Sequence, residues 1–284
     1  MSRDHSAVVV AYGAAGAVAV AAALLVDAET LWVAFWADVA ATLAIFACSR
    51  LYDNSSFYDA YWSVAPPALF AYWATTGEVT PRAMLMGALI AVWAARLTYN
   101  FLRGFSDLSH EDWRYRDLQR KHGKLYWLVS FGGIHMFPTV LTFAGSLSIF
   151  AVLHASPPRP LGWLDAVAAA VTALGIAYEG IADEQLRAYV ASGPPKGSFL
   201  QSGLWKHSRH PNYFGEVTFW WGLALFGFAA APRAWWVWIG AAAISALFFF
   251  ISIPMIDARM VERRPTYAAH MKRVSRLVPL PRRD

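Results

Sequence analysis

Apolar stretches long enough to cross a bilayer recur along most of this sequence, and they constrain the fold more than any motif does. They fall at 7–26, 31–49, 58–76, 82–103, 128–153, 161–186, 213–231 and 234–255. A helix needs about 20 residues to cover the ~30 Å hydrocarbon layer. Lipid offers no partner to a backbone N–H or C=O, so spans of this kind are helical. The expectation is an all-α, polytopic integral membrane protein with seven to eight transmembrane helices. The count is open because Pro66 and Pro67 interrupt 58–76, which would then enter the membrane only partway. Composition agrees, with 57% hydrophobic and 15% charged residues, where soluble domains carry about 25% charged residues. The run 7–26 is a full span rather than the core of a cleaved signal. Cys48 is alone, so no internal disulfide is available. Nucleic-acid binding would explain the net charge of +5 but not the hydrophobicity, and no nucleic-acid partner is expected.

Cations collect in three connections. These are Phe105 to Trp127 (with Arg114, Arg116, Arg120, Lys121 and Lys124), the segment with Arg187, Lys196, Lys206 and Arg209, and the tail from Asp257. The alternate connections are nearly free of cations. The positive-inside rule therefore places loops 104–127 and 187–212 and the tail 257–284 in the cytoplasm. An even number of spans puts the N-terminus there too, and an odd number reverses only the N-terminus. The segment Ser109 to Arg116 alternates charges with aromatic rings, the pattern of a short amphipathic helix at the headgroup level.

Polar residues also enter the apolar segments at this same level. Ser208-Arg209-His210-Pro211-Asn212-Tyr213-Phe214-Gly215-Glu216 stands where a cytoplasmic loop becomes the seventh segment. Pro211 suits the first turn of a helix, and a helix N-terminus beside Arg209 and His210 is a natural anion site. Glu216 then lies one turn inside, where an ionised side chain costs roughly 2.5–3.5 kcal/mol without a partner. Arg96 and Asn100 share one helix face, as do Glu179, Asp183 and Arg187. Each group also has a plain reading, in snorkelling cations, i,i+4 ion pairs or a capped helix. Three such faces at one level favour a site. Asp59, beside Tyr58, Tyr61 and Trp62, is either a helix cap or a carboxyl whose desolvation keeps it protonated near a ligand carbonyl.

Taken together, Gly203-Leu204-Trp205 and Ser208 to Glu216 resemble the C-terminal signature of the steroid 5α-reductase family and its bacterial relatives. Asp59-Ala60-Tyr61-Trp62, Trp93 to Asn100, Glu111 to Tyr115, Asp183 with Leu186-Arg187, and the tail from Arg259 through Tyr267 to Pro279 extend the resemblance over about residues 50–280. It implies membrane helices in 1–50 followed by a reductase membrane domain over 51–284, with the cofactor and substrate site inside the helix bundle. The implied activity is NADPH-dependent reduction of the C=C bond of an α,β-unsaturated ketone in a steroid-like lipid, as from a Δ4-3-oxosteroid to its 5α product. The substrate would enter from the bilayer of a bacterial inner membrane, into a monomer without a metal.

On the family's pattern, Arg96, Asn100, Asp183, Arg187, Asn212 and Glu216 fall on cofactor-lining positions. Trp113, Arg114, Glu179, Lys206, Ser208, Arg209, His210, Tyr213, Asp257 and Arg276 are added to that set by charge and place. Asp59 falls where the relatives hold a carboxylate near the substrate carbonyl. Their partner tyrosine falls on Trp93, leaving Tyr61 and Tyr99 as alternative donors, with Tyr58, Trp62 and Trp93 lining the substrate. No Gly-x-Gly-x-x-Gly fingerprint occurs, so a Rossmann unit is not the expected cofactor holder. The Arg-His-Pro element also occurs in isoprenylcysteine carboxyl methyltransferases, so the competing reading is an S-adenosylmethionine-dependent lipid methyltransferase. The surplus of arginine and the place of Asp59 favour the reductase. A sterol transporter would show paired broken helices in two related halves, and the sequence has no such symmetry.

Overall fold

The structure, a computed structural model, describes residues 3–105, 107–109 and 111–282. His110, inside the charged and aromatic run, lies outside the described residues. The chain is an all-α polytopic membrane protein. Its contacts divide it into two compact units, Met1–Pro158 and Arg159–Asp284. The division therefore falls more than one hundred residues beyond the boundary near residue 50 that the resemblance suggested, and it groups the first two helices with the next five.

Unit 1 holds α1 (Arg3–Leu25), α2 (Thr30–Leu51), a 3₁₀ turn (Ser55–Tyr58), α3 (Tyr61–Thr76), α4 (Pro81–Gly104), α5 (Trp113–His122), α6 (Tyr126–Val129), a π-helical turn (Ser130–Met136) and α7 (Phe137–Leu153). Local chemistry sets several starts. Thr80 caps α4 by accepting from the Ala83 N–H at 3.3 Å, with Pro81 in the first turn. Asp112 caps α5 by accepting from the Arg114 N–H at 2.8 Å. The helix α3 runs through both Pro66 and Pro67, yet its 16 residues rise only about 24 Å, short of the hydrocarbon thickness.

Unit 2 holds α8 (Trp163–Ala191), α9 (Pro211–Ala230), α10 (Ile239–Leu247), α11 (Ile253–Arg263) and α12 (Tyr267–Arg273). The Asp165 carboxylate accepts from the Gly162 N–H at 2.8 Å and fixes the start of α8. The helices α8 and α9 lie against each other along much of their length. Three glycines make that approach possible. A β-carbon at Gly175 would strike the backbone of Gly215 and Phe219, one at Gly215 would strike Glu179, and one at Gly222 would strike Thr172.

Every apolar stretch read from the sequence is a helix or a run of helical turns. Among the described residues six helical stretches are long and apolar enough to cross a membrane: Asp4–Leu25, Thr30–Leu51, Pro81–Gly104, Trp113–Leu153, Trp163–Ala191 and Trp235–Arg263. The two others, α3 and α9, fall short for different reasons. α3 is short, and α9 is diluted by Asn212, Glu216 and its tryptophans. Apolar side chains such as Val10, Val20, Leu24, Trp32 and Trp36 are exposed on α1 and α2, as lipid-facing surfaces require.

Candidate functional site

In unit 1 the polar groups gather where the Ser55–Tyr58 turn meets the start of α5. Asn54 caps the turn through the Ser56 N–H at 2.8 Å and reaches Leu108 O at 2.9 Å. The Asp112 N–H donates to Ser56 Oγ at 3.0 Å, so the first turn of α5 is tied to the same turn. Arg114 grips the Asp112 carboxylate with two nitrogens, at 2.8 and 3.0 Å. Tyr115, buried on the inner face of α5, donates its hydroxyl to Asp59 Oδ1 at 2.5 Å.

Asp59 lies just before α3, outside the spanning segments, and is half-buried. Desolvation lifts its carboxyl to about 7, against the pull of Arg114 and with a push from Asp112. At the start of the same turn, Glu111 Oε1 accepts from the Ser55 N–H at 2.8 Å and from Tyr126 at 3.2 Å. Burial raises its pKa as well. A hydroxyl chain continues from Ser55 to Ser130 at 2.9 Å, to His135 Nδ1 at 3.4 Å, and from His135 Nε2 to Ser49 at 3.1 Å.

The other expected residues of this unit take separate positions. Tyr58 is buried, shares a 2.7 Å hydrogen bond with Thr139 and stacks on Tyr61 at 4.9 Å. Tyr61 gives its hydroxyl to Asp38 Oδ1 at 2.5 Å rather than to Asp59. Tyr99 is 59% exposed under the Arg103 guanidinium, which also donates to Asn100 at 2.7 Å. Trp93 is fully buried, Trp62 packs against the apolar cluster that includes Tyr58 and Tyr61, and Arg96 and Trp113 are half-buried.

In unit 2 the acidic face of α8 rests on the first turns of α9. Asn212 Nδ2 donates to Asp183 Oδ1 at 3.3 Å, and buried Glu179 lies against Gly215. Glu216 accepts from the Trp220 indole at 2.9 Å, and Arg187 meets Glu184 at 3.8 Å. The Arg-His-Pro element is spent on a clamp. Arg209 reaches Asp257 at 2.7 Å and the carbonyls of Met271 and Val274 at 2.9 and 3.1 Å. His210 Nε2 stands 3.0 Å from the same carboxylate, and Tyr267 donates to it at 3.1 Å. Ser208 Oγ donates to Leu277 O at 2.7 Å, so the segment after α12 is sewn onto the start of α9. Lys206 is exposed, and Arg276 lies over the Phe249 ring at 4.8 Å.

Beside this clamp is a cavity of about 330 Å³ walled by Tyr189, Phe199, Trp205, Tyr213 and Tyr267, with His210, Asn212, Arg264 and His270. Burial, then Arg282 and Arg209, hold His270 down to about 4, so it is neutral at physiological pH.

The family described as "Protein of unknown function (DUF1295)" matches residues 45–274. The chain belongs to the DUF1295 family. That match takes in the Asp59–Tyr115 pair and the Arg209–Asp257 clamp, and leaves out Asp38 and Arg276. A Schizosaccharomyces pombe protein described as uncharacterized is 26% identical over 254 residues, covering 80% of this chain and 73% of its own length. No solved structure matches this DUF1295 chain.

Two residues of the DUF1295 chain escape sequence reasoning as site members. Tyr115 belongs to the charged and aromatic run, but nothing local joins it to Asp59, 56 positions earlier. Asp38 is 6% exposed in the middle of α2. The cost of a lone carboxylate inside a span, which singles out Glu216, is the signal that would have found it too. In kind, the unit 2 cavity fits a nucleotide, with ring walls for a base and Arg264 for an anion. In volume it holds part of a dinucleotide. Arg209 is an anchor there, since its terminal nitrogens already serve Asp257 and two carbonyls.

Proposed function

We propose that the protein is an NADPH-dependent reductase of the C=C bond in an α,β-unsaturated ketone carried by a steroid-like lipid. The observation that carries the reading is the Asp59–Tyr115 pair. A half-buried carboxyl, lifted to about 7 and oriented by a phenol at 2.5 Å, is a weak acid suited to donate a hydrogen bond to a ketone oxygen. The resemblance of the Asp59 and Ser208–Glu216 segments to steroid 5α-reductases supports the same reaction.

In this reading Asp59 polarises the carbonyl and faces the negative charge that develops on its oxygen, while Tyr115 fixes the carboxyl's orientation. Bound NADPH supplies the hydride. Trp205, Tyr213 and Asn212 would hold the nucleotide portion in the aromatic cavity, and Arg264 would meet its anionic part. Glu179 and Asp183 set the position of Asn212 through the close packing of α8 on α9. Solvent or a tyrosine returns a proton to the α-carbon. The collection of cations in alternate loops supports a cytoplasmic face for this chemistry, in a bacterial inner membrane on this reading, with an oily substrate arriving through the lipid.

The test is NADPH consumption by the purified protein in detergent with a Δ4-3-oxosteroid. Asp59→Asn should lower turnover by about 10²-fold or more while leaving NADPH binding intact. Binding of S-adenosylmethionine in place of NADPH would replace the reading with the methyltransferase one, in which Asp59 has no part.

A further inference from the structure

A second cavity, of about 280 Å³, lies within unit 1 against α1, α2 and α3. Its wall is built largely of alanine, and three of its lining residues, Gly16, Val20 and Ala68, are exposed on the flanks of the helices. In a spanning helix that flank faces lipid. Against this apolar wall stands Asp38, only 6% exposed, whose Oδ1 accepts from Tyr61 at 2.5 Å. Its Oδ2 meets no hydrogen-bond partner among the described residues. The buried phenols nearby do not serve it. Tyr12 gives its hydroxyl to Phe57 O at 2.8 Å, and Tyr61 is committed to Oδ1.

A buried polar oxygen left without a partner at the wall of a lipid-accessible cavity marks a place for a ligand group. We infer that this cavity binds a lipid alcohol, its hydroxyl on Asp38 Oδ2 and its hydrocarbon along the alanine wall toward the Gly16 and Val20 flank. The hydroxyl is the group that fits because it both donates and accepts. It satisfies Oδ2 whichever protonation state the carboxyl holds, whereas a ketone only accepts and an ammonium only donates. The other polar groups of the wall are phenols, of which Tyr12 and Tyr61 are engaged and Tyr72 is only half-buried, so a head of one hydroxyl suffices. The inference goes beyond the reductase reading and does not rest on it. Asp38 lies in the middle of α2 and Asp59 just before α3, and their partners differ, Tyr61 for the first and Tyr115 for the second.

The experiment uses the full chain in lipid nanodiscs with a diazirine-bearing long-chain alcohol as the photoprobe. Labelling should saturate and map to peptides of α1, α2 and α3. 1-Decanol should compete at least tenfold better than decane. Asp38→Leu should abolish that preference for the alcohol, Asp38→Asn should retain part of it, and Ala19→Leu, which fills the cavity without touching the carboxyl, should reduce labelling of all probes. Thermal melting of each variant establishes that it is folded. Labelling that never saturates, equal competition by alkane and alcohol, or an undiminished preference in folded Asp38→Leu would each overturn the inference. Ala19→Leu decides the matter independently should Asp38→Leu fail to fold, because an unchanged label there excludes the cavity. Steroid reduction is read separately, so loss of either result leaves the other standing.

Discussion

Arg209 and Asp257 meet at 2.7 Å, 48 positions apart in sequence, with side chains 5% and 4% exposed. Each side of the pair has further partners, in His210 and Tyr267 for the carboxylate and in the carbonyls of Met271 and Val274 for the guanidinium. A buried pair of this kind contributes little net stability relative to apolar residues, but breaking one half leaves an uncompensated charge. Asp257→Ala should therefore destabilise the protein by about 3–5 kcal/mol. Asp257→Asn, which keeps acceptor capacity on one oxygen, should cost less. Thermal melting in detergent checks both, and equal stability of Asp257→Ala and the native chain would refute the clamp.

Glycine substitutions separate close approach from helix propensity. Gly215→Ala puts a β-carbon into the backbone of Glu179 and should destabilise by about 1–3 kcal/mol. Gly13→Ala adds its methyl to open space in α1 and should be neutral or stabilising by up to about 1 kcal/mol. The contrast is read by melting both variants under one set of conditions.

Protonation of Asp59 gives a pH dependence with a defined sign. Its folded pKa of about 7 stands above the ordinary value of about 3.9, so the folded state holds the proton more tightly. The favourable contribution is complete in acid and is lost as pH rises through about 7. Melting temperature should fall from about pH 5 to about pH 8 in the native chain and fall less in Asp59→Asn. Turnover that needs the acid form should lose rate over the same alkaline limb.

Tyr115→Phe extends that test. The phenol's hydrogen bond favours the ionised carboxylate and so holds the Asp59 pKa down against desolvation. Removing it should move the alkaline limb to higher pH, even as turnover drops through loss of orientation. A limb that stays in place or moves toward acid would show that the two residues are not coupled.

His270 has the opposite sign. Its folded pKa of about 4 lies below the ordinary 6.5 or so, so stability present above about pH 6.5 is lost as pH falls toward 4. His270→Phe, which keeps a ring against Phe199, should flatten the acid side of the stability profile.

The helices are legible in the sequence because the demand that produces them is local. A span must be long, apolar and internally hydrogen-bonded, and each of those properties is written in a continuous stretch such as 82–103, which becomes α4. The same holds for α5, announced by alternating charge and aromatic rings and capped by Asp112. Side-chain pairing is not legible in this way. Arg209 and His210 read as free cations for an anion, and nothing near them tells that Asp257 takes both. Tyr61 and Tyr99 are natural partners for Asp59 by proximity in sequence or along a helix, yet one is turned to Asp38 and the other lies exposed. The dilution of α9 is a matter of degree. Asn212 and Glu216 lower its apolarity; Glu216 serves Trp220 one turn on in the same helix, whereas Asn212 serves Asp183, which only the fold supplies.

The seam between the start of α9 and the segment beyond α12 has a consequence in time. During synthesis Arg209 emerges before Asp257, and 65 residues before Val274, whose carbonyl it also binds. At about 5–20 residues per second that interval lasts several seconds. Until Asp257 is made the arginine has none of these partners, and until Val274 follows its part of unit 2 cannot close. The last stitches, Leu277 O on Ser208 and the Leu280 N–H on His207 O, come later still. Completion of this cluster thus waits for residue 280, and a chain cut short before Asp257 would present an unpaired buried cation to the cell's quality control.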